Sequence, residues 1–525
     1  MLSTIFRGAK VYDGGGGPPR TLDVATYGDR VALIGRLEDR DAAAVIACEG
    51  LALAPGFIDA HSHTDERWLA EPRVESKLRQ GVTTEIGGNC GYSAAPLTAE
   101  ALRAERAARL APMRVEPHWT TLDEFLTLVE HERPAINVAT LVGLGTTRAN
   151  VAGEDADPLD REQLAAQARL VREAVEAGAL GVSSGLVYPP GSYADATELA
   201  TMARAAADSG AALYATHLRS EGDALIPALE EALRIGRDAG VTVQISHHKA
   251  CGRRNWGRVH QSLAMIDAAR DAGEPVFADA YPYLGVWTEL AQILPGEARR
   301  GGIEATLEGL RDPQRRAATA LAVELAWGGR WHEILITDVG SSRNEELAGL
   351  RIDELGRRWG VKPVAAALRL LTQQRLSPQA IFFELTQSDI DAVFSARFVA
   401  IASDAAARAV TGVTACGLVH PRAFGTFPRA IGRYSRRRGI YEIAEGIRRA
   451  TSLPAAIFGL RDRGRIVEGA FADLVLFDDA ALTDRATYEQ PTLFPEGIRE
   501  VYVNGACVLR DGRLSGARPG RVLRR

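Results

Sequence analysis

At 525 residues the chain is too long for one simple core, so two or three domains are expected. Its 46% hydrophobic and 25% charged residues, with a formal net charge of −5, leave no electrostatic footprint for nucleic acid or an anionic membrane surface. No apolar run reaches bilayer length, and Arg7 and Lys10 interrupt any secretory leader. Five scattered cysteines (Cys48, Cys90, Cys251, Cys416 and Cys507) suit reduced thiols in a cytoplasm.

The first fifty residues alternate like short strands, as in "STIFRGAKVYDG" and "TLDVATYGDRVALIG", with Gly and Asp at the turns. From residue 54 the pattern changes to short apolar strands separated by Ala- and Arg-rich helical stretches, the signature of βα units and a parallel sheet. Eight strands are expected, beginning near residues 54, 81, 136, 178, 210, 240, 274 and 397. Helices such as 159–178 and 223–240 between them end in Gly, the usual stop. The stretch 291–345 exceeds one unit and reads as a mostly helical insertion after the seventh strand. The last sixty residues return to β character, with "VNG" as a hairpin turn. The expected fold is therefore α/β. A (β/α)8 TIM-like barrel spans 54–461, and a small β-sandwich domain is built from both termini, 1–53 and 462–525.

A barrel of this kind keeps its chemistry at the C-terminal ends of its strands. The first end, "GFIDAHSHTD", places His61 and His63 two residues apart and so on one side of an extended chain. Alone, that pair fits a metal half-site and an ordinary surface pair equally. The other strand ends add Cys90, His217, His247 with His248 and Lys249, Tyr281 with Tyr283, and Asp404. Five of ten histidines fall at these positions. The set supplies the imidazole, thiolate and carboxylate donors that zinc takes. Competing roles exist for each residue: Cys90 as a small buried thiol, Asp404 as a helix cap, His248 as a structural side chain. Glycines on both sides of the "NC" pair weigh against core filling by Cys90. His118, His131, His260 and His332 carry no pattern.

"PGFIDAHSH" with four further strand-end groups resembles the metal-dependent amidohydrolase superfamily. Five stretches are more specific, resembling its N-acyl-D-amino-acid deacylases: "GVTTEIGGNCGYSAAP", "GALGVSSGLVYPPGSYA", "THLRSEGD", "ISHHKACGRRNWG" with "DAYPY", and "HPRAFGTFPR". The resemblance implies a zinc-dependent hydrolase acting on a small molecule, an N-acyl-D-amino acid. No nucleic-acid or membrane partner is expected, and the oligomeric state stays open. Many amidohydrolases bridge two metals with a fourth-strand lysine. "GVSSGLVYPP" has none, and in the deacylases a second-strand cysteine serves instead, here Cys90. By that carry-over, Cys90, His217 and His247 hold a tight zinc, and His61 and His63, with Cys90 bridging, form a weaker second site.

The same resemblance makes Asp404 the general acid–base, and Lys249, Tyr281, Thr288 and Arg422 the partners of the substrate carboxylate. Arg422 also suits that role on its own, because its planar fork matches a carboxylate, though a surface ion pair is the alternative. Three features depart from the deacylase pattern: Leu144 after "LVG", Ala405 after Asp404, and a longer segment from Asp404 to Arg422. They bear on the acyl group or side chain accepted. Hydrolysis of cyclic amides, as in hydantoinases and dihydroorotases, and a non-catalytic metal-binding relative are the alternatives. The missing fourth-strand lysine speaks against the first, and retention of every candidate ligand against the second.

Overall fold

The computed structural model describes all residues except 38–39, 155, 341–344 and 416–417, so Cys416 lies outside the described residues. Eight short parallel strands follow one another in chain order: Phe57–Asp59, Val82–Gly87, Asn137–Thr140 continued by Val142–Gly143, Val182–Gly185, Leu213–His217, Thr242–Ile245, Val276–Ala280 and Val399–Ile401. Each pairs with the next. Between the eighth and the first, pairing among the described residues shrinks to one bridge, Ser62 with Ala405, which closes the ring.

Helices supply the crossovers that parallel strands need. Helix Arg161–Glu176 starts where the Asp160 carboxylate accepts the Gln163 N–H and the Gln163 side chain reaches back. Helix Leu225–Ala239 stops at Gly240 in the left-handed conformation. Strand alternation then sorts the side chains. Leu213, Ala215, Ala400 and Ala402 cluster inside the barrel with Leu453, Ile457 and Phe458. Tyr214, Val399 and Ile401 join the larger core under the helices. His217 and Asp404 come next in the inward series and so meet at the mouth.

The insertion is larger than the expected 291–345 and is not purely helical. It runs from Val286 to Phe382. Strands Val286–Glu289 and Ile334–Asp338 flank Gln379–Phe382 in an antiparallel sheet. Helices Gly302–Arg311, Pro313–Trp327, Ile352–Trp359 and Pro363–Gln373 accompany it. Trp331, Leu355 and Leu371 belong to a separate core there. Periodicity marks a strand but not its partner, so this sheet was not readable from the chain.

Both ends of the chain contribute to one nine-stranded sheet. Leu2–Val11 pairs with Arg20–Tyr27, Ala42–Ala47 and Ala52–Pro55, and Ala52–Pro55 pairs with Leu474–Phe477. The sheet curls around its own core, where Phe6, Val24 and Val31 meet Leu474 and Tyr502. The expected hairpin joins Ile498–Val503 to Ala506–Arg510, with Asn504 and Gly505 both at positive φ (47° and 78°). The boundary at 525 needs correction, because the last residues leave this sheet. Val522 bridges to Val138, and the Leu523 N–H donates to the Val138 carbonyl at 2.7 Å. Among the described residues no helix is long and apolar enough to cross a membrane.

Candidate functional site

Three site residues occupy the left-handed backbone region that L side chains avoid: Cys90 (φ 52°), His247 (34°) and Asp404 (49°). Such conformations persist where the surroundings over-determine them. Around Cys90 the surroundings are glycines. A Cβ on Gly88 would lie 2.0 Å from the Leu141 carbonyl oxygen, and one on Gly91 would lie 2.6 Å from the Gly185 nitrogen. Gly91 also has φ 77°. Gly91→Ala is therefore expected to lower stability by at least ~1–2 kcal/mol, the cost of a left-handed L residue, before the clash is counted. A urea-unfolding midpoint equal to that of the parent protein would refute this account of the loop.

The side chains converge as the strand ends suggest. The Cys90 Sγ lies 3.3 Å from His61 Nε2, 3.4 Å from His247 Nε2 and 3.8 Å from His217 Nδ1. His63 Nε2 is 3.1 Å from the Asp404 Oδ1, and His61 Nε2 is 3.5 Å from it. Donor atoms of His61, Cys90 and His247 lie within 4.8 Å of one another, as do those of His61, His63 and Asp404. All five expected ligands and Asp404 thus share one mouth. Burial opposes ionisation of Cys90, yet the His61 and His247 rings beside it hold its thiol well below the usual range. Burial likewise opposes charge on Asp404, and Arg422 and His247 hold its carboxyl well below the usual carboxylate range. The donors are soft thiolate and imidazole with a carboxylate at the edge, a set that fits zinc.

Two carboxylates that the sequence reading missed orient this cluster. Glu221 places Oε1 2.8 Å from His247 Nδ1 and Oε2 3.7 Å from His217 Nε2. These are the ring nitrogens facing away from Cys90, so Glu221 stands behind the histidines and fixes which nitrogen points inward. Glu221 follows His217 by four residues in "THLRSEGD", a spacing that offered a weak signal. Asp279, in "DAYPY", accepts the His247 backbone N–H at 2.8 Å and sits 3.4 Å from His61 Nδ1. Nothing local in the sequence tied it to His61, 218 residues earlier.

His248 turns away to Ser262 at 2.8 Å, as expected of a structural side chain. The four unassigned histidines are all exposed.

The four expected carboxylate partners line one side of the mouth. Tyr281 lies beneath two cations, with Lys249 Nζ 5.7 Å and the Arg422 guanidinium carbon 4.7 Å from its ring centre. Its hydroxyl is buried without a hydrogen-bond partner among the described residues. Lys249 Nζ donates to Glu221 at 2.6 Å. Thr288 stands on the insertion's first strand, its hydroxyl 3.1 Å from that of Tyr188, whose ring packs edge-on against His217. Arg422 Nη1 lies 2.9 Å from the Asp404 Oδ2, and both side chains are buried. The surface ion pair is thereby excluded for Arg422. His420 fixes the arginine: its Nε2–H donates to the Gly285 carbonyl and its Nδ1 accepts the Arg422 N–H, both at 3.0 Å.

Eight parallel strands with reactive side chains gathered at their C-terminal ends mark a TIM-barrel enzyme. Residues 44–509 match the amidohydrolase family, and the chain belongs to that family. It is 37% identical to an N-acyl-D-glutamate deacylase of Alcaligenes xylosoxydans xylosoxydans over all of this chain and 97% of that one. A solved D-aminoacylase with a binuclear metal centre, activated by one metal and attenuated by the second, superposes with a TM-score of 0.84 at 34% identity, covering both chains fully. The N-acyl-D-glutamate deacylase of Bordetella bronchiseptica, solved with zinc and a phosphonate mimic of the tetrahedral intermediate, gives 0.83 at 34% identity, again over both chains in full.

Proposed function

We propose that this protein is a zinc-dependent hydrolase that cleaves the amide of N-acyl-D-amino acids, giving a carboxylate and a free D-amino acid. The observation that carries the reading is the Cys90 thiolate set 3.3–3.8 Å from three imidazole nitrogens at the barrel mouth. Cys90, His217 and His247 hold the tight metal in this reading, and His61 and His63 form a weaker second site that shares Cys90. When bound, zinc supplies a polarised carbonyl and a water of pKa near ~7. Asp404 takes the water's proton and returns it to the leaving amine.

Arg422, Lys249, Tyr281 and Thr288 receive the substrate carboxylate. The Arg422–Asp404 pair gives that carboxylate a second effect. A carboxylate arriving at Arg422 weakens the arginine's hold on Asp404, and Asp404 becomes a better base. None of the four described cysteines is in a disulfide, which suits a cytoplasmic location.

Zinc analysis with hydrolysis of a panel of N-acetyl-D- and L-amino acids, plus a hydantoin, tests the reading. D-substrates are expected to be hydrolysed. With the carboxylate and the scissile carbonyl both fixed, the side-chain wall is the third contact that separates the hands. Hydrolysis of the hydantoin alone, or a preference for L-substrates, would overturn it. Arg422→Ala is expected to raise KM ~10–100-fold, the equivalent of ~1.5–3 kcal/mol for a hydrogen bond to a charged group. An unchanged KM and kcat would place the carboxylate elsewhere.

A further inference from the structure

Lys77 is fully buried and has no part in the chemistry above. It lies on the single turn Glu75–Leu78, yet its ammonium reaches across the seam where the eighth strand meets the first. It donates to Asp59 Oδ2 at 2.6 Å, to Ser403 Oγ at 2.8 Å and to the Ala405 carbonyl at 2.8 Å, with Glu85 Oε2 at 3.5 Å. Asp59 completes the lacing by accepting the Ser403 N–H at 2.9 Å and the Ser403 hydroxyl at 2.6 Å. The residues on both sides of Asp404 are thus tied to one cation and its counter-ion. Asp404 itself is held by its N–H to the His61 carbonyl at 2.9 Å. This is also the one junction of the ring without a strand ladder among the described residues.

A carboxylate at positive φ next to an unladdered seam does not stay in place unaided. Lys77 makes the shortest contact to the Ala405 carbonyl, which otherwise has only the Ser62 hydroxyl at 3.3 Å, the His63 N–H at 3.4 Å and the Ser403 hydroxyl at 3.4 Å. It also pairs the Asp59 carboxylate that accepts the Ser403 N–H. We propose that Lys77 is a positioning residue: it holds the Ser403–Ala405 backbone so that Asp404 meets His63 and the substrate at the working distance. The inference rests on the reading of Asp404 as the general acid–base. It requires that losing Lys77 reduce turnover, while metal held by Cys90, His217 and His247, which Lys77 does not touch, stays bound.

The test separates this role from simple charge balance. Lys77→Met alone strands Asp59 as an unpaired buried charge and is expected to fold poorly. The double variant Lys77→Met/Asp59→Asn keeps the net charge of the cluster and is expected to melt close to the parent with its zinc retained. Its kcat is expected to fall ~10–100-fold with little change in KM, the scale of a small misplacement of a catalytic group. Ser403→Ala, which removes the hydroxyl between Lys77 and Asp59 but keeps both charges and the Ser403 N–H bond to Asp59, should lower kcat less and leave KM alone.

Parent-like turnover in the double variant would overturn the proposal, and so would an unchanged kcat in Ser403→Ala should the double variant fail to fold. Asp404→Asn is the control. If it is inactive while the double variant runs at full rate, only the role of Lys77 falls. If it is fully active, the reading of Asp404 falls first.

Discussion

Cys90→Ala is expected to strip the protein of zinc and activity together. The thiolate lies within 4 Å of all three of His61, His217 and His247, so both proposed metal positions lose a ligand. It also brings a full negative charge to a site meant for a dication, and imidazoles alone attract the metal less strongly. Zinc content should drop from about one per chain to a small fraction, since a catalytic site has few ligands to spare. Turnover should fall ~10³-fold or more, because several kcal/mol of transition-state stabilisation depend on the metal. The fold should survive, since Cys90 is a partly exposed loop residue and not part of the core. Metal analysis by emission spectroscopy beside steady-state kinetics reads both quantities. Full zinc in this variant would remove Cys90 from the ligand set.

Asp404→Asn is expected to keep fold and zinc and to lose kcat by ~10²-fold or more, the usual contribution of a general acid–base. The amide has nearly the shape of the carboxylate, and the backbone tie from Asp404 N–H to the His61 carbonyl is untouched. What disappears is the proton acceptor, together with the charge that pairs with Arg422. A variant with near-parent kcat would make Asp404 a structural partner of Arg422 and His63.

The barrel was legible because its signals are local. Helices Arg161–Glu176 and Leu225–Ala239 announced their stops with Gly178 and Gly240, and the short apolar run before Asp404 announced the eighth strand. The candidate ligands were legible for the same reason, each being an unusual residue at a strand's C-terminal end. The rest of the site depends on distance along the chain. Asp279 and Glu221 look like ordinary polar residues until the fold sets them behind His61 and His247. Lys77 is one of only four lysines in the chain, yet nothing beside it in the sequence sets it apart, because burial at 0% exposure is a property of the assembled seam. Arg422 was readable as a carboxylate binder, but its pairing with Asp404 required both loops to fold over the same mouth.

The terminal sheet sets the order in which this molecule becomes complete during synthesis. Strand Ala52–Pro55 is flanked by Leu2–Val11 on one side and Leu474–Phe477 on the other. A ribosome makes the first pair early and must add more than four hundred residues before the second neighbour exists. Throughout that interval an apolar strand edge stands open, a template for pairing with another chain. Non-local closure of this sort is slow as well as exposed. A protein truncated before Leu474 should therefore collect in the insoluble fraction even though every barrel strand is present, and a soluble, monomeric truncation would show that the barrel shields this edge by itself.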